Sequence, residues 1–145
     1  MQFELREIGI MHTPYKTGEE TPIQSRFSDE TGKVEVFKEY ECGLDGIQEF
    51  SHIILLYLFH RRKGYSLKVK PFLDKEKKGV FATRAPGRPN HIGLSIVELI
   101  ERKENILTVK GVDMLDLTPV LDIKPYVPAF DYRKNVKSGW LEGKL

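Results

Sequence analysis

The chain holds a single cysteine, Cys42, in 145 residues, so no internal disulfide staples it and nothing asks for an oxidising compartment. It has no long apolar run either. The stretch from Ile53 to Phe59 is far too short to cross a bilayer as a helix. The first nine residues, MQFELREIG, carry two glutamates and no apolar core, so no secretory signal is expected there. A cytoplasmic protein with no membrane association is the expectation. Also missing are a P-loop ending in Lys-Ser/Thr, a G-x-G-x-x-G fingerprint and a G-x-S-x-G nucleophile elbow. The two commonest nucleotide-binding routes and a serine hydrolase are therefore unsupported. Metal binding fares no better. His52 and His60 share a face if they lie on one strand, but would then sit about 26 Å apart. His12 and His91 have no His or Cys at ligand spacing. No metal is expected.

What is present is globular: 40% hydrophobic and 30% charged residues, long enough for one domain spanning 1–145 with a core of its own. No repeat or low-complexity tract interrupts it. Net charge is +2 but unevenly spread. Arg61 to Arg88 contains ten basic and two acidic residues, leaving 13 basic against 19 acidic elsewhere. Such a stretch is either a solvated lysine-rich loop or a surface facing a polyanion such as RNA.

Pattern along the chain favours strands. Glu4 to His12 alternates loosely and meets a Thr-Pro turn; Lys16 to Ser28 is a long polar loop. Gly32 to Phe37 reads as a strand and Lys38 to Ile47 as an irregular or briefly helical piece. Phe50 to His60, FSHIILLYLFH, reads as a strand buried on both faces, with a buried helix as the competitor. Val80 to Thr83, Ile92 to Ile100 and Ile106 to Leu115 read as further strands, the last two as a hairpin. Pro119, Pro125 and Pro128 argue against long helices near the C-terminus. The sum is a mostly β, small single-domain barrel with short helical pieces.

Two clusters carry chemistry. In Ala82 to Asn90, ATRAPGRPN, two prolines and a glycine constrain a backbone from which Arg84 and Arg88 present forked donors. This is either a rigid anion-binding loop or a turn with solvated arginines. In Lys110 to Tyr126, KGVDMLDLTPVLDIKPY, Asp113, Asp116 and Asp122 lie amid apolar residues with Lys124 and Tyr126 behind them. Carboxylates there are paired structurally or serve a ligand, because bare burial is costly.

Together these segments resemble the TsaA-like (TrmO) family of tRNA methyltransferases. The resemblance rests on IGIMHTPY at 8–15, Pro22 and Gln24, FSHI at 50–53, and FH at 59–60. It continues through GVFATRAPGRPN and IGLS within 79–95, and D-x-L-D-x-T-P-V-x-D-I-K-P-Y at 113–126. It implies a non-Rossmann β-barrel methyltransferase of the compact archaeal type, without the C-terminal domain that many bacterial members carry. It implies S-adenosyl-L-methionine as donor, a homodimer, and N6-methylation of N6-threonylcarbamoyladenosine at position 37 of tRNA. The implied cofactor residues are Ser25, Arg26, Phe27, His60, Arg61, Arg84, Leu94, Lys110, Gly111, Val112 and Asp113. Phe27 and Leu94 would cover the adenine, main-chain groups of 110–113 would bond its edge, and Arg84 would hold the methionine carboxylate or a substrate anion. Candidate catalytic residues are Asp116, Asp122, Lys124 and Tyr126. The alternatives are a methyltransferase acting on another RNA or a small nucleotide-like substrate, and a cofactor- and RNA-binding module without turnover. This chain has His91 where the family commonly has proline, and Leu117 where it often has glycine. A glycine with positive φ is not cheaply replaced, so the turn at Leu117 is expected to differ.

Overall fold

A computed structural model describes residues 1–145, apart from the side chain of Ser25. Its strands, in chain order, are β1 (Gly9–His12), β2 (Thr31–Val36), β3 (His52–Leu58), β4 (Lys68–Val69), β5 (Lys78–Gly79), β6 (Ile92–Lys103), β7 (Ile106–Lys110) and β8 (Pro119–Pro125). One α-helical turn, α1 (Pro128–Asp131), follows, and short 3-10 turns join the rest. The chain forms two compact units, residues 1–60 with 92–126, and residues 61–91 with 127–145.

The first unit is a closed barrel in the order β1-β2-β7-β6-β3-β8, and every pair is antiparallel. Closure removes free sheet edges. Alternation decides which side chains face inward. Met11, Val34, Val36, Ile53, Leu55, Val97, Leu107, Val109 and Val120 are each at most 1% exposed and fill the interior. β3 is a strand, but it is not buried on both faces. Ile53, Leu55 and Tyr57 point in, while Ile54, Leu56 and Leu58 are only half-buried on the outer wall. The barrel holds one interior, so an unbroken apolar run here furnishes both a core face and an apolar outer face.

Three further expectations change. Val80 to Thr83 is not a strand: Val80–Ala82 makes a 3-10 turn, closed by the Thr83 N–H donating to the Val80 carbonyl. The strand expected to run to Leu115 stops at Lys110, because Gly111 turns the chain with φ 95°. β8 was hidden by its terminal prolines, which sit at the two ends of the strand.

In the second unit β4 and β5 pair as a two-residue ladder. The Val80 N–H donates to the Leu67 carbonyl at 2.9 Å and the Ser66 N–H to the Gly87 carbonyl at 3.2 Å. The Trp140 indole donates to the Ala82 carbonyl at 2.8 Å, which ties the C-terminal segment to the 80–82 turn.

Candidate functional site

The outer wall of the barrel across β6, β3 and β8 is set by register. Leu94 lies opposite Leu56, and Leu56 opposite Asp122; in the next outward row, Ile96 lies opposite Ile54 and Ile54 opposite Lys124. Cofactor candidate Leu94 and catalytic candidate Asp122 are thus two strands apart in one cross-strand row, a span of roughly 10 Å. The wall changes character along that row. Leu94, Ile96 and Ile100 stand 38, 39 and 52% exposed on β6, an apolar stripe facing solvent. On β8, Lys124 Nζ donates to Asp122 at 2.9 Å, which raises the pKa of the lysine. Tyr126 follows, its ring edge-on to His52 at 6.4 Å, and its N–H donates to the His52 carbonyl.

The 3-10 turn at Ser25–Phe27 lies against β6. Arg26 is exposed, and Phe27 is 55% exposed. An exposed aromatic ring on a turn packed against the strand that carries the Leu94, Ile96 and Ile100 stripe offers apolar surface suited to a flat heteroaromatic ring.

Behind this surface, Lys110 to Asp113 leaves the barrel. The Gly111 and Val112 N–H groups both donate to the Glu30 carbonyl, at 2.9 and 3.3 Å. They are therefore committed within the protein, and an adenine edge would be read here by other main-chain groups. Asp113 Oδ1 accepts from Ser95 Oγ at 2.5 Å, and Ser95 Oγ is 2.9 Å from the Tyr57 hydroxyl. Ser95 and Tyr57 are 1 and 3% exposed. Gly93 makes this possible: a Cβ there would collide with the Tyr57 ring, which lies over it. Ser95 and Tyr57 are the residues that sequence reasoning passed over. Their only signal was Ser95 itself, a lone polar side chain between Gly93 and Val97 on the inward face of a strand that is largely apolar on both faces.

Asp116 has other company. Oδ1 accepts from the Thr13 N–H at 2.9 Å and Oδ2 from Lys16 Nζ at 2.7 Å. Partial burial pushes its pKa up, but these donors, the Lys16 charge and His12 outweigh that and hold it below the usual value. A carboxylate with both oxygens engaged and a depressed pKa is a weak base. It lines an open groove of about 530 Å³ with His12, Lys16, Lys33 and Thr108. Among the described residues none of the cofactor candidates lines this groove, and its walls carry no Phe, Tyr or Trp.

His60 is exposed just past the end of β3, in the first unit, whereas Arg61 and Arg84 belong to the second. The two arginines of the Pro/Gly loop divide their work. Arg88 is half-buried, and its Nη1 donates to the carbonyls of Val80, Thr83 and Ala85 at 3.3, 2.9 and 3.2 Å. Through Nη1 it is the internal clamp of the loop. Arg84 is exposed. His91 has φ 51°, which proline cannot adopt, and its Nε2 lies 2.6 Å from the Gly64 carbonyl. Leu117 has φ 64°, the left-handed conformation that a glycine takes without strain.

The chain matches the family described as the tRNA-methyltransferase O N-terminal domain over residues 10–132. It is 60% identical over 138 residues to a probable S-adenosyl-L-methionine-binding protein of Pyrococcus abyssi, covering 94% of this chain and 75% of that protein. It is 43% identical over 104 residues to the tRNA (adenine(37)-N6)-methyltransferase of Mus musculus, covering 70% of this chain and 24% of that enzyme. A crystal structure of TrmO superposes with a TM-score of 0.82 at 37% identity, covering 96% of this chain and 64% of that one. The chain thus spans most of the archaeal relative, under two thirds of the crystallised TrmO and about a quarter of the mouse enzyme. On the barrel, the motifs and these likenesses together, it belongs to the family of the tRNA-methyltransferase O N-terminal domain.

Proposed function

We propose that this chain is an S-adenosyl-L-methionine-dependent tRNA (adenine-N6)-methyltransferase that acts on N6-threonylcarbamoyladenosine at position 37, as a homodimer in the cytoplasm. The observation that carries this is the match to the methyltransferase family over 10–132, in a chain whose relatives are named as S-adenosylmethionine-binding proteins and tRNA (adenine(37)-N6)-methyltransferases. Among the described residues no helix is long and apolar enough to cross a membrane.

The residues fit the cofactor in kind. Phe27 and the Leu94 stripe offer an uncovered apolar seat for adenine, and the main chain of Lys110 to Asp113 is held rigid by Glu30 and Ser95 beside polar contacts for it. Ser25, Arg26, His60, Arg61 and Arg84 complete the assignment by motif, with Arg84 taking a carboxylate. When bound, the cofactor supplies a methyl group already activated on a sulfonium. The chain's own task is then alignment and proton removal. The N6 lone pair of a carbamoylated adenosine is delocalised, so a base that takes the N6 proton assists. Asp122 suits that role better than Asp116 by position, since it lies on the Leu94 row. Its Oδ1 accepts from the Ile123 N–H at 2.9 Å, but its Oδ2 partner Lys124 is 59% exposed on a flexible stem, so that ion pair opens at little cost. Lys124 steadies the carboxylate, and Tyr126 closes the end of the strand.

Nucleoside mass spectrometry of tRNA from cells with and without the protein tests the reading. Loss of the N6-methylated threonylcarbamoyl nucleoside is expected; an unchanged profile overturns it. The names of the archaeal relatives favour a second reading, in which the protein binds the cofactor without turnover. Cofactor affinity with no methyl transfer to any tRNA would establish that one.

A further inference from the structure

The charge asymmetry is larger in the fold than along the sequence. Residues 61–91 and 127–145 share one compact unit. That unit contains 14 basic and four acidic residues, against nine basic and 17 acidic in the barrel unit. The C-terminal segment joins the basic loop through Trp140 on the Ala82 carbonyl and Lys144 on Asp74 at 3.2 Å. The same unit displays aromatic rings that nothing covers: Phe72 is 83% exposed, Phe81 74%, Phe130 72%, and Tyr65 and Tyr132 60% each. Five open rings on a unit of net charge +10 burn apolar surface against water with no return inside the fold.

We propose that this second unit is a docking surface for unpaired RNA, with Phe72, Phe81 and Phe130 as stacking platforms and the surrounding lysines and arginines neutralising the backbone. The inference rests on the reading that the chain acts on RNA. Basic side chains interleaved with exposed rings are what single-stranded nucleic acid needs, because every base has a face to stack and every linkage a charge to meet. A paired A-form helix keeps its base faces stacked internally and leaves such rings idle. A second copy of the chain is disfavoured as occupant, because two faces of +10 repel. An anionic membrane is disfavoured too: the rings sit on turns and a four-residue helix, not on one long amphipathic face.

The test is fluorescence anisotropy with a labelled anticodon-arm RNA hairpin and, separately, a fully paired RNA duplex of equal length. The hairpin should bind more tightly than the duplex. Phe72→Ala, Phe81→Ala and Phe130→Ala should each weaken hairpin binding by about tenfold, with duplex affinity and the salt slope unchanged. Lys77→Gln should instead flatten the salt slope for both RNAs. Circular dichroism and cofactor titration on each variant report whether the fold and the barrel site persist. If folded aromatic variants bind the hairpin like wild type, or if they change only oligomeric mass or capture by anionic vesicles, the stacking surface is wrong while the methyltransferase reading stands. If the wild-type chain binds neither RNA, both fall.

Discussion

Leu117 donates its N–H to the Met11 carbonyl at 2.8 Å while its own φ is 64°. The bond joins the turn before β8 to β1, its neighbour in the barrel. Left-handed backbone costs a branched L-residue about 1–2 kcal/mol, and the Leu117 side chain, 54% exposed, recovers little by burial. The surrounding bonds hold the turn regardless: the Asp116 N–H donates to Tyr15 at 2.7 Å and Thr118 Oγ1 to Leu115 at 2.6 Å. Leu117→Gly should therefore stabilise the protein by about 0.5–1 kcal/mol, the strain relieved less the greater freedom of an unfolded glycine. Urea unfolding measures it, and a loss of stability would show that the leucine is not strained.

The opposite outcome is expected at His91. Its φ of 51° is closed to proline, its N–H donates to the Arg88 carbonyl at 3.1 Å, and its ring reaches Gly64. His91→Pro, although common in the family, should cost about 3 kcal/mol or more here. His91→Asn keeps a residue that tolerates the left-handed region and should cost much less. Thermal melts of the two variants distinguish them; equal melting would mean that the loop readily takes the proline form.

These two positions also mark how far the sequence carried. Strands whose inward and outward residues alternate, β2 and the β6–β7 hairpin, were legible because period two is a property of the strand itself. β3 was legible as a strand, but not its half-open outer face, since an apolar run does not reveal how many layers cover it. β8 was concealed by prolines that turned out to sit at its ends. Motif order singled out Lys110–Asp113 only as a candidate, and only side-chain direction could reveal that Arg88 turns inward onto three carbonyls while Arg84 stays exposed. That Ser95 bridges Asp113 and the Tyr57 hydroxyl depends on register between β3 and β6, which no local pattern encodes.

Asp116 gives a pH-dependent prediction. Its carboxylate is held below its ordinary pKa, with Lys16 and the Thr13 N–H as the stabilising donors. A depressed folded-state value means that the ionised group favours the folded state. That contribution is complete above the unfolded pKa and disappears as pH falls through the lower, folded value. Asp116→Asn should cost about 1–2 kcal/mol at pH 7, and the gap to wild type should close as the solution is taken below the ordinary carboxylate range. Urea unfolding across that range checks it. A gap that does not depend on pH would assign the loss to packing.

The Ser95–Asp113 hydrogen bond links barrel interior to candidate cofactor corner, and it makes the sharpest prediction. Ser95 Oγ is bonded at 2.5 Å to Asp113 and lies 2.9 Å from the Tyr57 hydroxyl, in a position 1% exposed. Ser95→Ala removes a donor that aims the Asp113 carboxylate, while the Glu30 carbonyl still anchors the Gly111 and Val112 N–H groups. Stability should fall by about 1–3 kcal/mol, the cost of leaving a buried polar partner unmet. If Lys110 to Asp113 seats the cofactor, affinity for S-adenosylmethionine should fall by about tenfold, from an orienting contact worth roughly 1.4 kcal/mol. Tyr57→Phe keeps the serine–aspartate bond and should leave cofactor affinity within about threefold of wild type, while costing about 1 kcal/mol of stability. Calorimetric titration well below each variant's melting temperature separates binding from folding. A folded Ser95→Ala protein that binds the cofactor like wild type would remove Asp113 from the site and leave the network a purely structural one.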